Sequence, residues 1–204
     1  SIDRIKEKYS EKISEDKNDF KNYLETINRQ IKDIETLVNE FSNFARMPIP
    51  ELKLINVFSI VKRAVDFMKM SSVNQINLKT LKKNLIINGD EEQLYRAFVN
   101  LIKNSEESFL EKKLKKPNFK GIIDIELTLN NDYIVIKITD NGPGIEDTEK
   151  VMTPYFTTKK TGTGLGLPIV NKIINEHSGD FLILKTSNLG TQITISLPNK
   201  NNEK

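Results

Sequence analysis

Apolar side chains in the first 47 residues recur at alternating spacings of four and three, the repeat of a helix that packs in a coiled coil or bundle. No glycine or proline precedes Pro48, and the polar run 14–18 predicts the turn of a helical hairpin. The seam comprises Phe20, Leu24, Ile27, Ile31, Ile34, Val38, Phe41 and Ala45. The alternative is a solitary solvent-facing helix, but an exposed seam of this length would associate, which favours a homodimeric four-helix bundle.

Beyond residue 48 the apolar pattern mixes helical and strand periods. Pro48 and Pro50 end the seam-bearing helix of this hairpin, because proline lacks a backbone donor and disfavours helical angles in the preceding residue. Helices are predicted at 57–70, 90–112 (with Asp90 as N-cap) and 164–177, and strands at 76–80, 84–88, 122–129, 133–139, 181–186 and 192–197. We therefore expect a helical hairpin at 1–48, an α+β domain at 49–198 and a disordered tail at 199–204.

Composition narrows the class of protein. The 204 residues are 37% apolar and 29% charged with a net charge of +3, which predicts a soluble globular chain and gives no reason to expect nucleic acid as a partner. No run approaches the roughly 18 apolar residues of a membrane span. The lack of cysteine excludes thiol catalysis and cysteine zinc sites, and the single histidine, His177, excludes a multi-histidine metal site.

Five of the nine glycines lie in two short clusters, at 140–145 after an apolar strand and at 162–167 before an apolar helix. Glycine lets a ligand approach the backbone closely. A glycine-rich turn that opens a helix presents N–H groups and a positive dipole end, which suits phosphate. Neither cluster fits the standard phosphate-loop patterns, so a structural turn is the alternative for each one taken alone.

Two asparagines, Asn100 and Asn104, lie four residues apart on the predicted 90–112 helix, so their amides share one face. Asparagine is a mediocre helix former. Among apolar residues, this pair suggests carbonyl oxygens directed at a ligand or at a hard cation such as Mg²⁺, which completes its shell with water and phosphates. Solvated surface asparagines are the alternative.

The asparagine pair and the two glycine clusters together resemble the Bergerat-fold ATPases, which include DNA gyrase, the heat-shock chaperone ATPases, the mismatch-repair ATPases and the two-component sensor histidine kinases. Residues 154–159 look like the F-box of the kinases, and Gly190-Thr191 like a third glycine element. The end of the hairpin, 40–48, resembles the second helix of a dimerisation and phosphotransfer domain, most like that of the NtrY-type nitrogen-regulation sensors. The resemblance implies a two-layer α/β sandwich that binds ATP and Mg²⁺.

The resemblance also implies a role for each motif residue. Asp140 would accept a hydrogen bond from the adenine amine, with Thr191 supporting it through water. Asn104 would bind Mg²⁺, and Asn100 would lie near the phosphates. The other implied ATP-binding residues are Gly142, Gly144, Ile145, Thr163, Gly164, Leu165, Gly166 and Leu167, and the implied lid residues are Phe156, Thr157 and Lys159.

Three departures from the family pattern stand out. The phosphoacceptor histidine motif is absent, and we expect it upstream of Ser1 in a longer protein. Glu107 stands where many members carry a basic residue near the phosphates, so the resemblance does not carry that phosphate contact over to this chain. Ser105 replaces a usual alanine, which we interpret as minor. His177, at the predicted end of a helix before Gly179, is interpreted as structural rather than catalytic.

The function implied by this resemblance is that of a histidine kinase catalytic core. It would transfer the γ-phosphoryl of ATP to a histidine, and then to an aspartate on a response-regulator receiver domain. This fragment alone would then not phosphorylate itself. We expect it in the cytoplasm without direct membrane contact, within a parent protein anchored in the inner membrane. The alternatives are a clamp ATPase, disfavoured because Asn100 stands where those enzymes carry a glutamate base, and a nucleotide-regulated pseudokinase or interaction module.

Overall fold

The computed structural model describes residues 4, 5, 9, 17–159, 162–186 and 190–200. The chain divides into two compact units. The helical unit is Ser1–Met47 with Thr158–Thr163, and the α/β unit is Pro48–Thr157 with Gly164–Lys204.

The helical unit is built on α1, Lys17–Ala45, a single helix of 29 residues. The helix predicted for the seam residues is therefore confirmed. Along its seam Leu24 is only 5% exposed, whereas Ile31 and Ile34 are 50% and 60% exposed, so most of the seam faces outward in the single chain. Arg4, Ile5 and Tyr9 are also helical, but most of the predicted turn at 14–18 lies outside the described residues, and the hairpin stays a prediction. Within the described part of the chain, no helix has the length and apolar character needed to cross a bilayer.

The α/β unit contains the remaining regular elements. Its helices are α2 (Val57–Lys69), α3 (Glu91–Lys115) and α4 (Gly166–Glu176), with a 3-10 turn at Lys150–Met152. Its strands are β1 (Lys53–Asn56), β2 (Gln75–Thr80), β3 (Ile86–Gly89), β4 (Ile122–Asn130), β5 (Tyr133–Asp140), β6 (Asp180–Lys185) and β7 (Thr191–Pro198).

Five of these strands form one sheet in the order β2-β4-β5-β7-β6. Only β2 and β4 run parallel within it, whereas the β4–β5, β5–β7 and β6–β7 pairs are antiparallel. In this order Thr139 of β5 lies opposite Gln192 of β7. The end of β5 and the start of β7 are therefore neighbours, although about fifty residues separate them along the chain.

The core lies between this sheet and the helices. Alternate residues of the central strands are buried, as the period-2 pattern predicts. They are Ile123, Ile125 and Leu127 of β4, Ile134, Ile136 and Ile138 of β5, and Ile193, Ile195 and Leu197 of β7. The apolar stripes of α2, α3 and α4 are buried as well, including Val61, Phe98 and Ile174. The predicted two-layer α+β sandwich is confirmed.

Two details differ from the sequence-based expectation. The tail was expected to be disordered from residue 199, but the Asn199 N–H donates to the Asp132 carbonyl at 2.7 Å and the Lys200 N–H to the Ile86 carbonyl at 2.9 Å. That expectation is wrong for these two residues, whereas 201–204 lie outside the described part. Strand β1 was not predicted, because it has four residues with no alternating pattern and depends on pairing with β3.

Candidate functional site

A buried carboxylate marks the end of β5. Asp140 is 9% exposed, and its Oδ1 accepts hydrogen bonds from the backbone N–H groups of Gly142, at 2.8 Å, and Thr191, at 3.3 Å. Its Oδ2 accepts from the hydroxyl of Ser105 at 3.3 Å. Three elements of the fold therefore fix this side chain: the loop after β5, the start of β7 and the middle of α3.

Opposing effects set the charge of Asp140. Burial is the largest effect and raises its pKa, while the N–H groups of Gly142 and Thr191, the hydroxyl of Ser105 and the positive charge of Lys112 lower it. Burial wins, so the pKa of Asp140 is raised above its ordinary value. Such a carboxylate gains from one more donor, because each donor compensates part of the lost solvation.

Close packing against backbone or side-chain atoms explains two of the glycines around Asp140. A Cβ atom on Gly190 would lie 1.9 Å from the Asp140 carbonyl oxygen, and one on Gly142 would lie 2.9 Å from Asp140 Oδ1 and 2.6 Å from Ser108 Oγ. Neither position therefore has room for a side chain. Further along the loop, Gly144 adopts φ +82°, which favours glycine, and half-buried Ile145 follows it.

Lys112, in the last turns of α3, holds the same loop from the other side. Its ammonium group donates to the carbonyls of Asn141 and of Gly142, the latter at 2.9 Å, and it lies 4.8 Å from the ring centre of Phe119. The lysine therefore joins the end of the asparagine helix to the first glycine cluster.

The predicted asparagine pair meets the second glycine cluster. Asn100 Nδ2 donates to the Gly166 carbonyl at 3.4 Å. A Cβ atom on Gly166 would lie 3.3 Å from Asn100 Oδ1 and 3.5 Å from Asn104 Nδ2. The structure therefore brings both amides to the first residue of α4, where helical N–H groups are exposed.

The second cluster packs against Tyr155 and Phe156, in the segment predicted to contain the lid. Gly164 adopts φ +70°, and a Cβ there would lie 2.5 Å from the Tyr155 carbonyl carbon and 2.6 Å from the Phe156 carbonyl oxygen. The Tyr155 N–H donates to the Gly164 carbonyl at 3.2 Å, and Tyr155 itself has φ +69°, a strained conformation for a bulky side chain.

The remaining predicted residues divide between the two units. In the α/β unit Leu165 is buried, Leu167 and Phe156 are half-buried and Thr157 is exposed. Thr191 contributes its backbone N–H to Asp140, and its predicted water-mediated role stays a prediction. Lys159 and Thr163 are half-buried in Thr158–Thr163, which belongs to the helical unit, so they are not among the residues that the α/β unit itself brings together.

Two residues of this site were missed or undervalued by sequence reasoning. Ser105 was interpreted as a minor replacement, but it is 5% exposed and its hydroxyl contacts Asp140. Lys112 has no sequence signal of its own, because one lysine in a lysine-rich stretch carries no periodic pattern. At Glu107, one of the three departures from the family pattern, the carboxylate oxygen Oε1 lies 3.7 Å from the ammonium nitrogen of Lys103.

Comparison with known proteins agrees with this geometry. The family described as histidine kinase-, DNA gyrase B-, and HSP90-like ATPase matches residues 89–201. Nitrogen regulation protein NtrY of Azorhizobium caulinodans is 33% identical over 183 residues, which cover 88% of this chain and 23% of that protein. Sporulation kinase B of Bacillus subtilis is 30% identical over 184 residues, which cover 86% of this chain and 40% of that protein.

Solved structures with a similar fold include a histidine kinase catalytic domain. The catalytic domain of histidine kinase ThkA superposes with a TM-score of 0.62 at 25% identity, over 72% of this chain and 97% of that domain. The present chain spans less than half the length of either curated relative. The chain belongs to the family of histidine kinase-, DNA gyrase B- and HSP90-like ATPases, within its sensor histidine kinase branch.

Proposed function

We propose that this chain binds ATP and Mg²⁺ and transfers the γ-phosphoryl group to a histidine of its dimerisation domain. The observation that carries the proposal is the fixed carboxylate of Asp140. Its Oδ1 is taken by two backbone donors, so Oδ2 is the oxygen that would accept from the adenine amine. Guanine presents an acceptor instead of a donor at that position, so this contact would select adenine.

The phosphate side of the proposed site is the N-terminus of α4. Gly166 opens this helix beside Asn100 and Asn104, and a helix N-terminus favours an anion. Asn104 has the donor type that Mg²⁺ takes, an amide oxygen, so it fits the role of a single protein ligand to this ion. When bound, Mg²⁺ would neutralise the developing charge of the transferred phosphoryl group.

The chemistry proposed is transfer to a protein side chain rather than hydrolysis. Asn100 occupies the place of a general base, but an amide does not take up a proton at neutral pH, and its Nδ2 donates to Gly166. The catalytic contribution of the chain would then be positioning and electrostatic stabilisation.

His177 does not suit the role of phosphoacceptor. Its Nε2 accepts from the Asp90 N–H at 2.8 Å and its Nδ1 lies 2.7 Å from the Ile173 carbonyl, so both ring nitrogens are engaged in a side chain that is 3% exposed. We therefore propose that the phosphoacceptor is a histidine outside this chain, in the domain to which α1 belongs. The outward-facing seam of α1 supports homodimerisation, and membership of the histidine kinase family supports a response-regulator receiver domain as the next acceptor.

Calorimetric titration tests the proposal. ATP should bind the purified chain more tightly than GTP, and Mg²⁺ should strengthen ATP binding. Asn104→Ala should abolish the Mg²⁺ effect, whereas Asn88→Ala, which removes an exposed amide from β3, should not. Equal affinity for ATP and GTP, or an Asn104→Ala variant with the wild-type Mg²⁺ dependence, would contradict the assignment.

A further inference from the structure

We propose that Ser105 is a positioning residue for nucleotide recognition, holding Oδ2 of Asp140 in the orientation in which it accepts from the base. This inference rests on the proposed function and deepens it. Ser105 lies one residue beyond the asparagine pair, where its hydroxyl oxygen is 3.3 Å from Asp140 Oδ2 and 3.4 Å from the carbonyl oxygen of Leu101.

The hydroxyl has one proton, so it donates to one of these two oxygens at a time. An ionised carboxylate is the stronger acceptor, because a charge-assisted hydrogen bond is about twice as strong as a neutral one. Ser105 therefore donates to Oδ2 while Asp140 is ionised. When Asp140 is protonated, the hydroxyl can turn to Leu101 and accept the new proton from the acid. The serine hydroxyl can therefore form a hydrogen bond with Asp140 whether the carboxyl group is ionised or protonated.

The two oxygens of Asp140 differ in what holds them. Oδ1 is held by the N–H groups of Gly142 and Thr191, which no substitution of a side chain removes. Among the described residues, Ser105 is the side chain that donates to Oδ2. An alanine at this position would leave the ligand-facing oxygen without its donor from α3, and the carboxylate plane would be free to rotate about the anchored Oδ1.

Removal of the Ser105 hydroxyl should also change the pKa of Asp140. Burial raises the pKa of Asp140, and Ser105 is one of the groups that lower it, together with two backbone donors and Lys112, the charged side chain that acts on it. Removing the hydroxyl should therefore raise the pKa of Asp140 further. The pH below which nucleotide binding weakens should move upward.

The test compares Ser105→Ala with the matched variant Ser108→Ala. Ser108 lies one turn further along α3, and its hydroxyl donates to the Ser105 carbonyl at 2.7 Å instead of to Asp140. ADP is titrated calorimetrically into each protein between pH 5 and pH 8. At neutral pH, Ser105→Ala should weaken ADP binding about 3- to 10-fold, the effect of one ordinary hydrogen bond, and should shift its pH profile upward. Ser108→Ala should change neither.

A ligand-free readout separates this inference from the proposed function. The pKa of the Asp140 carboxyl, followed by its ¹³C chemical shift in the free proteins, should be higher in Ser105→Ala than in wild type and unchanged in Ser108→Ala. An unchanged Asp140 titration in Ser105→Ala would overturn the role of Ser105, whether or not nucleotide binds. A different outcome is that the Asp140 pKa is higher in Ser105→Ala but wild type binds no ADP. That result would overturn the nucleotide proposal, and with it the recognition role of Ser105.

Discussion

The backbone N–H of Asp90 donates a hydrogen bond of 2.8 Å to Nε2 of His177. Asp90 is the N-cap of α3 and His177 the C-cap of α4, so this bond joins one end of the asparagine helix to the far end of the helix that the second glycine cluster opens. Because Nε2 accepts, the ring proton lies on Nδ1, which donates to the Ile173 carbonyl. The neutral imidazole thus joins the start of α3 to the end of α4, while Asn100, further along α3, contacts Gly166 at the start of α4.

Replacing His177 should destabilise the fold. His177→Ala leaves a buried N–H without its acceptor and opens a cavity, which together should lower the free energy of unfolding by about 2–4 kcal/mol. Urea denaturation measures this change. The exposed neighbour Asn175 is the control, and Asn175→Ala should stay within about 0.5 kcal/mol of wild type. A His177→Ala variant as stable as its control would show that the Asp90 bond has little energetic weight.

The same geometry predicts that His177 is not phosphorylated. The roughly 13 residues from Gly164 to His177, most of them in α4, place the imidazole about 20 Å from the glycine turn at 1.5 Å per residue, whereas in-line transfer needs about 3–3.5 Å. Incubation of the chain with radiolabelled ATP and Mg²⁺ should therefore leave no acid-labile label. Label that disappears in His177→Ala would contradict this prediction. A longer chain that includes the helix carrying the proposed phosphoacceptor should become labelled.

Much of this architecture could be predicted from local sequence patterns. The alternating runs at 122–129 and 133–139 identify β4 and β5, because each buries one face, and the two glycine clusters identify the loops that the structure places around Asp140 and Asn100. Asp90 could be recognised as an N-cap, since the residue type and the following helix suffice.

The side-chain contacts of the site could not be predicted in the same way. The bond between Ser105 and Asp140 joins residues 35 positions apart, and it exists only because the end of β5 lies against the middle of α3. Lys112 reaches the glycine loop for the same tertiary reason. A lone serine or lysine has no periodic pattern, so the strand order had to be known before either contact could be inferred.

Asp90 should confer stability that depends on pH. Burial is the largest influence and would raise its pKa, but hydrogen bonds from the backbone of Gln93, Glu51 and Glu92 together outweigh it and lower the pKa. The stabilisation is therefore present above the unfolded pKa of about 3.9 and is lost as pH falls through the lower folded value. Asp90→Ala should lower the free energy of unfolding by about 1–2 kcal/mol at pH 7.

The Asp90 prediction is checked by urea denaturation of both proteins across the acid range. The difference between wild type and Asp90→Ala should shrink as the pH falls below about 4. A difference that is constant down to the acid unfolding of the protein would mean that the charge of Asp90 contributes nothing and that its bonds act as neutral ones.

The seam of α1 should control association. Ile31 and Ile34 are half-exposed in the single chain, so an aspartate at either position should be tolerated by the monomer but would bury an unpaired charge in a dimer. Ile31→Asp should therefore be monomeric by light scattering at concentrations where wild type is dimeric. Thr26→Asp, which adds the same charge to an exposed position off the seam, should remain dimeric. If both variants dissociate, added charge on α1 rather than burial at the seam is responsible.

Asp140→Asn should separate nucleotide binding from stability. The asparagine oxygen can still accept from the Gly142 and Thr191 N–H groups, and its amide can donate to Ser105, so the fold should be kept. The amide would however present a donor to the donor amine of adenine, so calorimetry should detect no ATP binding.

The stability of wild type relative to this variant should depend on pH with a defined sign. Because the pKa of Asp140 is raised in the folded state, its favourable contribution is fully present below the unfolded value of about 3.9 and is lost as pH rises through the folded value. Relative to Asp140→Asn, wild type should therefore be most stable in acid and least stable at neutral pH, where the variant should be as stable as wild type or more so. Thermal unfolding at a series of pH values measures the difference. A variant that loses stability as well as binding at neutral pH would mean that the charge of Asp140 supports the fold, and that its burial is compensated within the protein rather than by the ligand.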